Sequence, residues 1–201
     1  LMLMVLLAGC DEVDKATDAV AEVLTGGQEG EAEGGEEGLD PDAGSADYGY
    51  AVGDIIPDVA LTGPDGSAGL HDYADGGPTV VVVSTMWAAP CAELAPTLQE
   101  LWEEHADDGF TVVEVLQENL YAESPSDEEL TDWADTLGLT YPVVTEAGDA
   151  GDFLAALAAE GTVSPYVFPA VVLLDADMRI ESQLSADPDD VVEEIEAYLA
   201  E

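Results

Sequence analysis

Residues 84–96 read Ser-Thr-Met-Trp-Ala-Ala-Pro-Cys-Ala-Glu-Leu-Ala-Pro, and this stretch decides the fold. The residues directly before it, Thr-Val-Val-Val-Val at 79–83, form a β-branched run that is typical of a strand buried on both faces. From Cys91 to about Ala106 the sequence shows helical periodicity, with one apolar stripe of Leu94, Leu98, Leu101 and Trp102. The sequence therefore predicts a central strand that leads through a short turn into a helix.

Strands and helices alternate on both sides of this segment. Further strands are predicted at Val59–Leu61, Phe110–Leu116, Tyr141–Thr145, Ala170–Leu174 and Arg179–Leu184. Further helices are predicted from the capping-box pattern at Ser126 to Gly138, over Asp149–Glu160, and after Asp187-Pro188. Turn residues at 62–67 and 175–177 join neighbouring strands into hairpins. We expect an α/β fold over 48–201, with a central mixed β-sheet flanked by helices and an N-terminal β-hairpin.

Four separated features resemble the thioredoxin superfamily, and within it the redoxin group of TlpA-type and ResA-type extracytoplasmic reductases. Trp87, Pro90, Cys91 and Pro96 match the Trp-Cys-x-Pro-Cys segment and its helix-kinking proline. Residues 52–61 with 65–66 are similar to the entry hairpin of that group, and residues 167–171 lie where the superfamily has a cis-proline, at Pro169. The resemblance implies a thioredoxin-like fold and membership of a thiol-disulfide oxidoreductase family.

The same resemblance places Ala88 where the family has its first, nucleophilic cysteine. Attack on a disulfide requires an exposed thiolate, which alanine does not provide. The chain has one other cysteine, Cys10, for which a lipid attachment is predicted below. With Cys10 modified in this way, Cys91 would be the remaining thiol and no intramolecular disulfide could form. We expect single-cysteine chemistry through Cys91 at most. The alternative is an unreactive, buried thiol, because Cys91 shares its helix face with Leu94 and Leu98.

Two further functions fit the same residues. A non-catalytic module could bind a client or a redox-partner protein in a groove formed by Trp87, Pro90, Phe168 and Pro169, since an apolar groove needs no thiol to receive an extended peptide. Trp87 could equally pack against the first turn of the helix. A one-cysteine peroxidase is the third possibility, because Cys91 occupies the position of the peroxide-reactive cysteine of peroxiredoxins. Those proteins direct an arginine at the thiolate, and Arg179 is the sole arginine of this chain.

The remaining chemistry-bearing residues predict no cofactor and no metal site. His71 and His105 are 34 residues apart and lack the spacing of metal ligands. The acidic residues at 175–177 and 187–190 are interpreted as a turn and a helix cap.

The charge of the chain excludes nucleic acid as a partner. Of its 201 residues, 46 are Asp or Glu and 2 are Lys or Arg, which gives a net charge of −44. A phosphate backbone is held mainly by Lys and Arg. Residues 48–201 carry 33 of the acids and Arg179 alone as a base, so the domain repels itself and we expect adaptation to a saline environment. The alternative is an acidic protein without halophily.

Residues 1–10 predict an anchor. Leu7-Ala8-Gly9-Cys10 ends an apolar run and resembles a lipobox, so residues 1–10 are interpreted as the remnant of a lipoprotein signal and Cys10 as the site of lipid attachment. Residues 11–47 follow as an acidic tether rich in Gly and Glu. Together they predict a lipoprotein attached to the membrane outside the cytoplasm. The alternative is that residues 1–9 form a buried strand or helix and Cys10 is an ordinary apolar side chain.

Overall fold

A computed structural model describes residues 48–148 and 151–200 of the chain. These residues contain seven strands, four α-helices and two short 3-10 turns. The strands are β1 (Ala60–Gly63), β2 (Gly66–Gly69), β3 (Thr79–Thr85), β4 (Thr111–Glu118), β5 (Val143–Glu146), β6 (Ala170–Leu174) and β7 (Ile180–Leu184). The helices are α1 (Ala89–His105), α2 (Asp127–Leu137), α3 (Asp152–Ala159) and α4 (Pro188–Leu199). The predicted α/β fold is confirmed.

The strands form one mixed sheet in the order β2-β1-β5-β4-β3-β6-β7. Parallel pairing joins β3, β4 and β5, whereas β6, β7 and the hairpin of β1 with β2 are antiparallel to their neighbours. Every residue of β3 is buried, as its β-branched composition predicts for the centre of a sheet. The carboxyl ends of β3 and β4 therefore meet at one edge, which places the loops that follow both strands side by side.

Apolar side chains on the two faces of the sheet form two hydrophobic clusters. One face packs against α1, α2 and α4, with Leu98, Leu130 and Ile195 in its centre. The other packs against α3 through Phe153 and Leu157. Two buried layers over one sheet give the domain a continuous core of the kind that supports about 150 residues.

The helix signals are confirmed in detail. Ser126 caps α2, where its hydroxyl accepts a hydrogen bond from Glu129 N and Glu129 bonds back to Ser126 N at 2.9 Å. Gly138 ends that helix in the left-handed conformation (φ 72°) that glycine adopts without strain. Asp187 caps α4, and Asp175 Oδ1 holds the turn before β7. The 3.0 Å and 2.8 Å bonds at these two aspartates bear out their interpretation as a cap and a turn.

Several element boundaries differ from the prediction by one to three residues, and three of them have a local reason. Helix α1 begins at Ala89, two residues early, because Pro90 fits the first turn of a helix. Strand β5 begins at Val143 and not at Tyr141, since Pro142 has no N–H for the sheet. Helix α3 begins at Asp152 because Glu146, on the preceding strand, accepts hydrogen bonds from the backbone N–H groups at its start.

Candidate functional site

The turn between β3 and α1 places Ala88 and Cys91 one helical turn apart at the carboxyl edge of the sheet. Ala88 is the N-cap of α1, and its carbonyl accepts a hydrogen bond from Cys91 N at 3.0 Å. The side chain of Ala88 is itself buried. At the position where the resemblance places a nucleophilic cysteine, this chain therefore has a buried methyl group at the N-cap of α1.

Cys91 points into the core, as its helix phase predicts, and only 1% of its surface is exposed. Burial raises the pKa of its thiol because a thiolate loses solvation there, and the negative charge of Glu114 adds to the effect. The Thr85 backbone and the Ser84 hydroxyl lie close to the thiol and act in the opposite sense, but they do not outweigh burial. The surroundings of Cys91 therefore favour a protonated thiol.

A buried carboxyl group lies close enough to this cysteine to act on its thiol, at a residue the sequence analysis did not single out. Glu114 lies in the middle of β4 and is 1% exposed. The Tyr141 hydroxyl donates to its Oε2 at 3.1 Å, whereas Ser84 Oγ and Trp133 Nε1 lie beside it without a well-formed hydrogen bond. Burial raises the pKa of Glu114 to about 7, against the effect of these donors. Glu114 thus holds a proton over much of the pH range in which ordinary carboxyl groups are ionised.

The predicted groove residues Trp87 and Phe168 are brought together. Their rings meet edge to face with centroids 5.7 Å apart, and the Trp87 indole N–H donates to Glu118 Oε2 at 2.7 Å. Trp87 is 49% exposed, so it is held in place by Phe168 and Glu118 and still presents its ring to solvent. Pro90 is exposed at the start of α1.

Pro169 lies behind this surface. The Phe168-Pro169 peptide bond is cis, as the resemblance implies, and the Pro169 side chain is buried. The residues before it, Tyr166 and Val167, are exposed and continue the apolar surface beyond Phe168. We call Trp87, Tyr166, Val167 and Phe168 the neutral face.

Arg179 lies near the amino end of β3, whereas the turn that contains Ala88 and Cys91 follows the carboxyl end of that strand. Strand β6 runs antiparallel to β3, and Leu174 pairs with both Thr79 and Ile180, so Arg179 lies beside the amino end of β3. The six residue steps from there to Thr85 span about 20 Å at roughly 3.3 Å each. The Arg179 guanidinium donates instead to the Gly53 carbonyl. The fold therefore does not direct this cation toward Cys91.

The two histidines also lie away from the turn. His71 Nε2 is 2.7 Å from the Ile56 carbonyl, and His105 stacks edge to face on Phe110 at the end of α1. Within residues 48–148 and 151–200 there is no group of three or more His, Cys, Asp or Glu side chains placed to hold a metal ion.

The predicted lipid attachment site, Cys10, and the tether at residues 11–47 lie outside the described residues. Among the residues that are described, no helix combines the length and the apolar character needed to cross a bilayer.

Comparisons with known proteins agree with this architecture. The model of the AhpC/TSA family matches residues 52–183. A putative thiol:disulfide interchange protein DsbE from Chlorobium tepidum is similar in structure, with a TM-score of 0.58 and 20% identity over 75% of this chain and 99% of that chain. The thioredoxin domain of a thiol-disulfide oxidoreductase from Bacteroides vulgatus gives 0.58 and 19% over 74% and 97%.

Peroxidoxin BcpB from Mycobacterium tuberculosis has the same fold, with a TM-score of 0.59 and 17% identity over 75% of this chain and 97% of that chain. No curated protein sequence matches the chain. At these identities the solved structures establish the fold, and the family match rests on the sequence itself.

Proposed function

The chain belongs to the AhpC/TSA family, and from that premise we propose that it is a non-catalytic member that binds a partner polypeptide on its neutral face. The observation that carries this proposal is the contrast between Trp87, which is exposed and held by a hydrogen bond, and Cys91, which is buried one helical turn after Ala88. The exposed, oriented aromatic ring that a binding surface needs is present. Of the two thiols that a disulfide-exchange cycle needs, the first is replaced by Ala88 and the second, Cys91, is buried and protonated.

The distribution of charge supports the same surface. The chain has 46 acidic residues, yet residues 79–92 and 161–174 contain none. These two segments supply the paired strands β3 and β6 and the loops at their adjoining ends, which include the whole neutral face. The residues of the neutral face carry no charge themselves, and Glu118 at its border is bonded to the Trp87 indole. An apolar surface of this kind, on a domain rich in carboxylates, suits contact with another polypeptide.

An extended segment of the partner is the natural ligand for this surface. Aromatic rings held at a fixed angle offer contact area at little cost in conformational entropy, and they are the usual anchors of peptide-binding sites. The Glu118 carboxylate and the Phe168 ring hold Trp87 in place before any ligand arrives. A preorganised site of this kind loses less free energy on binding than a mobile one.

Redox chemistry through Cys91 alone is the second candidate, and the family membership is what favours it. Here Cys91 would attack a disulfide of the partner, form a mixed disulfide and release one partner thiol, and a second thiol of the partner would then displace Cys91. The burial and the raised pKa of the thiol both oppose the first step. A peroxidase reaction has less support still, because Arg179 lies at the far edge of the sheet.

We also propose that the protein acts outside the cytoplasm, attached to a membrane by lipid on Cys10. The basis is the Leu7-Ala8-Gly9-Cys10 sequence followed by the acidic tether. Mass spectrometry of the amino-terminal peptide from membrane-extracted protein tests this part: a diacylated Cys10 supports it, and a free thiol there contradicts it.

Partner binding is tested by titrating the isotope-labelled protein with an extended, disulfide-free peptide that carries apolar side chains. We expect the Trp87 indole N–H resonance to shift, Cys91→Ser to bind with unchanged affinity, and Trp87→Ala to bind at least tenfold more weakly, since aromatic anchors dominate such sites. Tyr48→Ala is the matched control, because Tyr48 is an exposed aromatic residue at the other edge of the sheet. Binding that requires the Cys91 thiol would favour the redox candidate.

A further inference from the structure

A cavity lies next to the neutral face, and Met86, the residue before Trp87, forms part of its wall. It has a volume of about 260 Å³ and opens between the loop after β4 and helix α2. Its lining combines four apolar or aromatic side chains with two carboxylates: Met86, Leu120, Tyr121 and Trp133, and Glu129 and Asp132. Neither the family match nor the proposed function assigns a role to this cavity.

The loop that forms the outer wall of the cavity is fixed by one buried side chain. Asn119 Oδ1 accepts from Tyr121 N at 2.9 Å and from Glu123 N at 3.1 Å, while its Nδ2 donates to Glu129 Oε1 at 3.0 Å. The Asn119 backbone N–H also bonds to the Glu123 carbonyl at 2.8 Å. Ala122 is held at φ 59°, a conformation that residues other than glycine seldom adopt. The backbone of the loop is therefore held in one conformation, which fixes the position of the residues at its tip.

The tip consists of Leu120 and Tyr121, which are 68% and 80% exposed. Of the seven large apolar residues that are exposed within the described ranges, five lie at this edge of the sheet: Trp87, Leu120, Tyr121, Tyr166 and Val167. Met86 N donates to the Glu118 carbonyl at 2.9 Å, which ties the loop after β3 to the loop after β4. The cavity and the neutral face are thus adjacent parts of one surface.

The carboxylates of the cavity have no positive partner within the described part of the chain. Glu129 accepts hydrogen bonds from Ser126 and Asn119, which lower its pKa and fix its negative charge at the rim. Asp132 lies three residues further along α2, is exposed, and makes no side-chain hydrogen bond among the described residues. Arg179, the sole Lys or Arg there, lies at the far edge of the sheet.

We propose that this cavity binds an arginine or lysine side chain of the same partner segment that lies on the neutral face. The proposal rests on the proposed function and adds the chemistry of the partner. The aliphatic stem of the basic residue would pack on Met86 and Leu120, and its cation would face Asp132 between the rings of Tyr121 and Trp133. An apolar residue of the same segment would contact Trp87.

Charge argues for such a partner over the other occupants. Residues 11–47 contain 13 acids and Lys15 alone as a base, and a second copy would bring the same excess of acids. Either occupant would bring mainly like charge to Glu129 and Asp132. A partner with basic side chains offers the complementary charge, which steers association and fixes register.

The test uses the full chain and peptides of one scaffold, acetyl-Gly-Ser-X-Gly-Val-Ser-amide, in which X is arginine or norleucine. Norleucine has a similar stem and no charge. We expect the arginine peptide to bind about tenfold more tightly, with shifts at the Trp133 indole N–H and the Tyr121 amide. Asp132→Asn should remove most of this preference, whereas Asp135→Asn, a change on the same helix outside this cavity, should keep it.

Each other outcome has a defined meaning. Equal binding of both peptides, with shifts confined to Trp87 and Phe168, overturns the basic-residue site and leaves the proposed function intact. No shift at either place overturns both. A change in the cavity resonances on dilution of the free protein, or with Lys15→Gln, would assign the cavity to a second copy or to the chain's own amino-terminal segment and would also overturn the proposal.

Discussion

The buried carboxyl of Glu114 makes the stability of the domain depend on pH in a way that one substitution removes. In the folded protein its pKa is about 7, compared with 4.5 for an ordinary glutamate. Between these two values the unfolded chain releases the proton and the folded protein retains it. The free energy of unfolding therefore falls as the pH rises from about 4.5 to about 7, and the stabilisation lost is not recovered at higher pH.

The size of the effect follows from the difference between the two pKa values. Each pH unit is worth about 1.4 kcal/mol, so the loss comes to roughly 3 kcal/mol. Glu114→Gln keeps an oxygen for the Tyr141 hydroxyl and has no proton to lose. We expect the variant to match the wild type or to be slightly less stable at pH 5, and its stability relative to the wild type to rise by about 2.5 kcal/mol between pH 5 and pH 8.5, because the wild type has already lost part of the stabilisation at pH 5.

Urea unfolding followed by tryptophan fluorescence, at pH values from 5 to 8.5 in 2 M NaCl, measures this difference. The surface carboxylates also change their repulsion over this range, but that contribution is common to both proteins and cancels in the comparison. Glu128→Gln, an exposed position on α2, is the control and should leave the pH dependence unchanged. A difference between wild type and Glu114→Gln that stays constant within about 1 kcal/mol would show that Glu114 does not retain its proton, and would refute the reasoning.

Salt should raise the melting temperature between 0.05 M and 2 M NaCl, since the Debye length falls from more than 10 Å to about 3 Å or less over that range; an unchanged value would contradict halophilic adaptation. Iodoacetamide should modify Cys91 slowly at pH 7.5 in the folded protein and rapidly in urea, because the thiol is buried; mass spectrometry reads both rates, and fast labelling in the folded state would contradict burial. Ala88→Cys should form an intramolecular disulfide with Cys91, seen as the loss of two titratable thiols, yet reduce insulin only slowly; thiols that remain free under oxidising conditions would contradict the first part.

Patterns within single elements were enough to predict an α/β fold, and the resemblance to a family supplied its thioredoxin-like type. The β-branched run of β3, the capping box at Ser126 and the glycine at 138 each specify local structure through neighbouring residues, and each is observed where the sequence predicts it. Boundaries were less accurate where a contact from another element decides them. Helix α3 is the clearest case, because Glu146, on the strand before it, accepts the hydrogen bonds at its start.

The candidate site was only partly predictable. Resemblance to a family could place Trp87 beside Phe168, and helix phase could direct Cys91 inward. Glu114 was missed although a signal was available: a glutamate within a continuous apolar strand must be buried if that strand is central. The cavity beside Trp133 was not predictable, since it depends on how the loop after β4 packs against α2.

The electrostatics of the turn give a reason against rapid thiol chemistry that is separate from the alanine at position 88. A thiolate at the start of α1 would gain from the helix dipole, but it would lie close to the buried carboxyl of Glu114 and about 20 Å from the end of β3 beside Arg179. A thiol introduced at position 88 would enter the same surroundings, which is why we expect a disulfide there without rapid turnover. Surroundings of this kind disfavour the thiolate form that a nucleophilic cysteine requires. They are compatible with the proposed role in binding, for which the structure offers the fixed ring of Trp87 and the acid-free segments that contain it and the strand beside it.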